Sequence, residues 1–222
     1  MNAPAEEPAG AEAPDLRVRR RPVQKRGIVR FDGILASART LLESEGVEGF
    51  TIEDVAALAG IPVGSVYQYF PNKFAIVAEL DARDTEALID DIIASAGRFP
   101  TDDWQRETDR LIDLIAAHWV DDPSRRAVWL AMRSNAATRA LADVHSRALV
   151  TTLLPIIGEL TGRLDTATRT RVTEVIVELS LALLHLSVSR SGSTTGDQPD
   201  PATLHELKRV LRAYLRSVAL DS

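Results

Sequence analysis

The chain is predicted to be all-helical, and three observations carry that prediction. From Phe31 onward, apolar residues recur at three- and four-residue spacing, which gathers them on one face of a helix. Helix-capping residues, glycines and prolines punctuate the pattern where helices start and stop. No stretch reads as a convincing strand, and no internal repeat is found.

The elements follow in order. Met1 to Asp15 is rich in Ala, Pro and Glu and is expected to be disordered. The helical pattern begins at Arg30, with Phe31, Ile34, Leu35, Ala38, Leu41 and Leu42 on one face, and Gly46 and Gly49 end the first helix. Thr51-Ile52-Glu53-Asp54 resembles a capping box and opens a short second helix, Ile52 to Ala59, stopped by Gly60. A third short helix begins near Pro62, whose fixed φ suits a first turn, passes through Val66 to Phe70 and is cut by Pro71. Asn72 caps a fourth, from Lys73 to about Ala96.

Further helices are expected over Thr101 to Val120, from Asp122-Pro123 to about Asn135, and over Thr138 to Leu160. Pro155 interrupts the last of these, as a kink or as a boundary between two helices. Asp165 to Arg190 forms a long helix, Ser191 to Asp200 a polar loop, and Pro201 to about Ala219 a final helix. The domains expected are a disordered tail with a basic arm at 1–25, a compact unit at 26–88 and a larger helical unit at 89–222.

Composition narrows the function. The 222 residues are 45% hydrophobic and 26% charged, a soluble globular profile. No apolar run approaches the roughly 20 residues of a membrane span, and the acidic N-terminus is no signal peptide, so a cytoplasmic protein without membrane partners is expected. With no cysteine, thiolate metal sites and cysteine nucleophiles drop out. The four histidines lack metal spacing, and no phosphate loop or nucleophile elbow occurs. No metal, no cofactor and no enzymatic activity are expected.

Charge is unevenly placed. Leu16 to Arg30 holds seven cations and no acid, leaving −13 on the rest of a chain whose total is −6. A basic arm on an acidic body can grip phosphates locally; alternatively it is a solvated tail, or a patch for a membrane surface or an acidic protein.

Two helices of about two turns, joined by Ala59-Gly60-Ile61, have the dimensions of a helix-turn-helix. Val55, Ala56, Ala59, Ile61, Val66 and Phe70 supply a small core, leaving Val63, Gly64, Ser65, Tyr67, Gln68 and Tyr69 to face outward. Gln pairs with adenine in a major groove, and small or apolar residues meet a thymine methyl.

This segment, Phe50 to Lys73, resembles the signature of the tetracycline-repressor (TetR) family: an alanine-glycine turn, a short helix ending in Tyr-x-Tyr-Phe, and a lysine opening the next helix. The resemblance covers about Arg26 to Leu88. It implies a helix-turn-helix DNA-binding domain followed by a helical ligand-binding and dimerisation domain. The function implied is a transcriptional regulator, by family habit a repressor, released from double-stranded operator DNA by a small-molecule effector.

Residue by residue, Thr51 and Ser65 match positions that cap helices and touch phosphate. Val63, Gly64 and Gln68 match positions near base edges, and Tyr67, Tyr69 and Lys73 match phosphate clamps. Pro62 departs from the capping serine of many members, and Val63 from a polar base reader. The arm, Arg17 to Arg26, is expected to reach a neighbouring minor groove.

In the second half, Val172, Ile176, Leu179, Leu183 and Leu186, and then Leu204, Leu207, Leu211, Tyr214 and Val218, form two apolar seams. Two such helices from each subunit suit a four-helix homodimer interface; alternatively both seams face their own core. Trp104, His118, Trp119, Trp129, Met132 and Arg133, with Asn135 and His145 nearby, are candidates to line a ligand pocket. The long fourth helix touches both halves and is the expected lever. The alternatives are a helical partner-binding module with a basic arm and, less favoured, an enzyme of unknown substrate.

Overall fold

The structure is a computed structural model that describes residues 15–96, 103–160, 164–190 and 199–220. Among these residues every regular element is helical. The first four helices are α1 (Lys25–Gly49), α2 (Ile52–Leu58), α3 (Val63–Tyr67) and α4 (Lys73–Ala96). They are followed by α5 (Trp104–Val120), α6 (Pro123–Ser134), α7 (Ala136–Leu160), α8 (Thr166–Arg190) and α9 (Pro201–Leu220). The expected disorder over Met1 to Asp15 and the polar loop from Ser191 lie almost wholly outside the described residues.

Local chemistry sets most boundaries. At α2, the Asp54 amide donates to Thr51 Oγ1 (3.2 Å) while the Thr51 amide donates to Asp54 Oδ2 (2.8 Å), a reciprocal capping box. Hydrogen bonds from the Thr51 side chain and backbone hold the exposed Asp54 carboxyl below the usual carboxylate range. The Ala75 amide donates to Asn72 Oδ1 (2.9 Å) at the start of α4. The Thr168 amide donates to Asp165 Oδ1 (3.1 Å) at the start of α8.

Three expectations need correction. α1 opens at Lys25, five residues before the apolar pattern becomes visible, because its first turn is exposed and carries no core residue. It also bends near its end, where Gly46 takes φ 70 inside the helix. Pro155 breaks nothing: α7 runs through it, with Pro155 and Thr151 both exposed, so water can meet the carbonyl that lacks a partner. The stretch Thr138–Glu159 of α7 is long and apolar enough to cross a bilayer by composition, with mean hydropathy 1.3. Here it packs against α4, α6 and α8, with 33% of its apolar window buried.

Two apolar cores result. The first joins α1, α2, α3 and the first turns of α4, and takes in Val128, Ala131 and Met132 of α6. Its centre is aromatic: Phe31 stacks on Phe70 at 4.9 Å and meets Tyr69 edge-on at 5.4 Å. The second gathers α5, α7, α8 and α9. α4 belongs to both, giving Ala75, Ile76 and Leu80 to the first, and Leu88 and Ile92 to the second.

Candidate nucleic-acid interface and ligand chamber

The helix-turn-helix is built around one glycine. Gly60 takes φ 65, a conformation that favours glycine, and lets the Ile61 amide return to the Ala56 carbonyl (3.0 Å). The chain then re-enters a helix at Val63 after Pro62. Hydrogen bonds from Gln68 to Gly64 (3.2 Å) and from Phe70 to Val66 (2.9 Å) carry helical turns past the end of α3. Val66 and Phe70 are wholly buried and fix the rotation of α3.

That rotation decides which side chains remain outside. Val63, Gly64, Tyr67 and Gln68 are exposed, and their spacing puts them on one face; Ser65 is half-buried beside it. A Cβ added at Gly64 would meet nothing within 4 Å, so this part of the face is open to a backbone or base edge. Such a ridge has the shape and chemistry to enter a major groove.

Three expected DNA contacts are engaged elsewhere. Tyr69 does not face outward: it is 7% exposed, with its ring packed on Phe31. The Lys73 ammonium donates to the Phe50 carbonyl (3.2 Å) and lies 3.7 Å from Glu48, near the Phe50 and Phe74 rings. Thr51 is exposed, but its hydroxyl proton goes to Asp54 Oδ2 (2.6 Å). The basic arm is likewise tied down, since its Arg19 amide donates to the Tyr69 carbonyl (2.8 Å).

The second core encloses a chamber of about 60 Å³ of free volume. Leu88 and Ile92 of α4, Ile112 of α5, Leu153 of α7, Val177 of α8 and Leu211 of α9 are among its walls. Its two hydroxyls are engaged within their own helices, Thr108 donating to the Trp104 carbonyl (2.9 Å) and Ser180 to the Ile176 carbonyl (2.6 Å). The charged residues on the wall are Glu107 and Glu159, and no lysine or arginine lines it.

Of the expected ligand residues, Trp104 lies on this wall. His118, Trp119, Trp129 and Arg133 line a separate polar cavity, with Asp81, Asp84, Arg125 and His145. Leu88, Leu149 and Leu181 belong to both linings. Met132 belongs to neither: it is completely buried in the first core, so its placement in a ligand pocket is corrected. Periodicity marked the aliphatic wall residues as apolar, but nothing in the sequence separates a chamber wall from ordinary core.

The polar cavity ties α4 to its neighbours. Arg39 of α1 donates to both carboxylate oxygens of Asp84 (2.5 and 3.1 Å). His118 Nε2 donates to the Asp84 carbonyl (3.2 Å), and His118 Nδ1 accepts from Arg125 (2.8 Å). Burial pushes the Asp84 carboxyl up, opposed by Arg39. Burial, then the Arg125 charge, pushes the His118 imidazole down, opposed by the Asp84 carbonyl and the Asp91 and Asp122 carboxylates.

A pH dependence follows. The unfolded chain binds a proton at His118 near pH 6.5, whereas the folded one resists it, so stability is lost as pH falls through that region. His185, lowered by burial and by Arg126 and Arg133, acts in the same direction. Asp84 acts in the opposite direction, but only above 3.8 toward its raised value. The urea midpoint is expected to drop between pH 7.5 and 5.5, and less steeply in His118→Gln. Parallel declines in the two proteins would exclude His118 as a source.

Comparison with known proteins assigns this architecture. The family model described as bacterial regulatory proteins, tetR family, matches residues 34–80. The one described as tetracyclin repressor-like, C-terminal domain, matches residues 102–219, more than half of the chain. The chain belongs to the TetR family.

It is accordingly a DNA-binding transcriptional regulator, with the helix-turn-helix as its reading head. Among solved structures it is similar to a TetR-family transcriptional regulator from Streptomyces coelicolor, with TM-score 0.60 and 24% identity. That match covers 85% of this chain and 99% of that one. It is also similar to the fatty acid degradation regulator FadR from Bacillus halodurans, with TM-score 0.64 and 17% identity over 86% and 94% of the two chains. The SmeT–triclosan complex matches with TM-score 0.61 and 16% identity over 87% and 91%. These likenesses show the TetR fold. No curated protein matches the chain's sequence.

Proposed function

We propose that the protein is a homodimeric repressor that leaves a palindromic operator when an apolar, uncharged or cationic molecule enters the chamber. The observation that carries this reading is the division of α4 between two cores, one behind the recognition helix and one around the chamber. A drug-sized ligand needs roughly 300–1,000 Å³, far more than the chamber's 60 Å³. An effector must therefore push the walls apart, Leu88 and Ile92 of α4 among them. It shifts the equilibrium only through preference for the expanded state, as any effector must.

Operator contact is assigned to Val63, Gly64, Tyr67 and Gln68 at base edges, with Ser65 beside the phosphates. Dimerisation is supported by what the seams leave exposed. Val172, Ile176, Leu207 and Leu211 are buried in their own subunit, whereas Val175 (41% exposed), Leu186 (38%) and Val210 (42%) are apolar side chains of α8 and α9 exposed to solvent. A two-fold pair would place recognition helices one DNA turn apart, roughly 34–36 Å.

The effector's class follows from the wall. A carboxylate ligand would meet Glu107, already paired with Arg110 at 3.3 Å, and the exposed Glu159. No wall lysine or arginine would compensate the ligand's charge, and burying an unpaired charge is costly. Decanol below its solubility limit, and decyltrimethylammonium and decanoate below their micelle concentrations, provide a matched set. Followed by fluorescence anisotropy of labelled operator, decanol and decyltrimethylammonium are expected to release the protein and decanoate is not. Release by decanoate alone would overturn the assignment of effector class.

A further inference from the structure

We propose that the basic arm is a built part of the DNA-reading surface, clamped beside the recognition helix through Glu79. With the start of α1, the arm forms a cationic track for the phosphate strand flanking the major-groove contact. The proposal rests on the operator-binding reading above and extends its footprint beyond the helix-turn-helix.

The arm is fixed at several points over a few residues. The Asn72 side-chain amide donates to the Asp15 carbonyl (2.8 Å). The Arg19 guanidinium donates to the Tyr67 carbonyl (2.9 Å), next to the bond from its own amide to Tyr69. Both carbonyls lie at the C-terminal end of the recognition helix, the end that favours a cation. Leu16 and Val18 are partly buried against the first core.

Arg21 completes the attachment with a fork onto Glu79 of α4, at 2.9 Å to Oε1 and 2.7 Å to Oε2. The Glu79 side chain is only 4% exposed, so its charge needs a partner, and Arg83 supplies a second at 3.3 Å. A glycine accommodates the crossing: a Cβ on Gly27 would stand 2.9 Å from Cβ of Pro22.

The clamp leaves other cations available to DNA. The Arg17 side chain is 95% exposed and approaches Asp15 only to 3.7 Å, and Arg20 is exposed. Where the arm runs into α1, Lys25, Arg26 and Arg30 line a surface groove that continues to Ala59 and Ile61 of the helix-turn-helix turn, with no acidic residue on its wall. These three form no ion pair among the described residues, and two of them stand in the first turn of α1, where the helix dipole disfavours a cation. A polyanionic strand along the groove would relieve that conflict, and operator DNA supplies one.

Clamping matters because a loose arm must be ordered when it binds, which weakens affinity. Arg21 is thus a positioning residue whose own charge is matched by Glu79, while Arg17 and Arg20 touch the phosphates. The two roles separate in salt dependence, because the slope of log affinity against log salt shrinks by about 0.9 for each phosphate the protein ceases to neutralise.

The test uses full-length protein and an operator duplex selected with the wild type from a random pool. The double variant Arg17→Ala, Arg20→Ala is expected to flatten the salt slope, by about 0.9 for each phosphate it no longer neutralises. Arg21→Ala should weaken binding about three- to tenfold with the slope unchanged, since it gives up arm positioning and no phosphate. Gly27→Ala should weaken binding in the same way without lowering the melting temperature, because alanine favours the helix. Circular dichroism checks folding; in Arg21→Ala, Glu79 keeps Arg83.

An unchanged slope in the double variant would overturn the phosphate track. A flatter slope in Arg21→Ala, or unchanged affinity there, would overturn the clamp. Failure of the wild type to distinguish operator from random duplex would instead overturn the regulator reading on which the proposal rests.

Discussion

Phe70→Ala is expected to destabilise the reading head by about 3–5 kcal/mol, the usual cost of truncating a buried phenylalanine. Phe70 is completely buried, stacks on Phe31 and closes the turn after α3. Typical domains are stable by roughly 5–15 kcal/mol, so this change removes a large fraction of the margin. The first core should melt at lower urea, and operator binding should fall with it even though no DNA-facing residue changes. Urea unfolding followed by circular dichroism measures the effect. A shift worth less than about 1 kcal/mol would mean that Phe70 does not hold α3 in place.

Gln68→Ala is expected to act in the opposite manner, leaving stability intact while lowering operator affinity. Gln68 is exposed at the C-terminal end of α3, and its side chain holds no other element in place. A bidentate base contact is worth about 1–3 kcal/mol. In a symmetric dimer the change occurs in both half-sites, so a fall of roughly 30- to 20,000-fold is expected. Non-specific binding, which depends on phosphates, should change little. Anisotropy titrations on operator and random duplex separate the two effects. Equal weakening on both would remove Gln68 from base recognition.

What is legible in the sequence is what local chemistry determines. Thr51 and Asp54, Asn72 and Asp165 cap the helices they are expected to cap, and Gly60 makes the turn. The outward set Val63, Gly64, Tyr67 and Gln68 follows from the same local periodicity. Residues whose places differ from expectation depend on neighbours distant in sequence. Tyr69 looks like a surface aromatic until Phe31, 38 positions earlier, packs against it. Met132 lies on the same helix as Trp129 yet turns into a different core.

The chamber and the arm are hidden for related reasons. Aliphatic residues in α7 and α8 carry no chemical signature that distinguishes a lined void from solid packing. Arg21 reads as one more cation in a basic run, and its pairing with Glu79 emerges only once α4 has folded back beside it. Charge counting locates the arm but does not show that it is attached.

The central claim is that the exposed face of α3, presented twice by a dimer, reads a specific DNA sequence. Selection of bound duplexes from a random pool tests it most directly. The account predicts recovery of an inverted repeat with half-site centres about one helical turn apart, and weaker enrichment of that repeat by Gln68→Ala. Recovery of unrelated sequences by the wild type, with binding that falls steeply with salt and does not discriminate among duplexes, would contradict it.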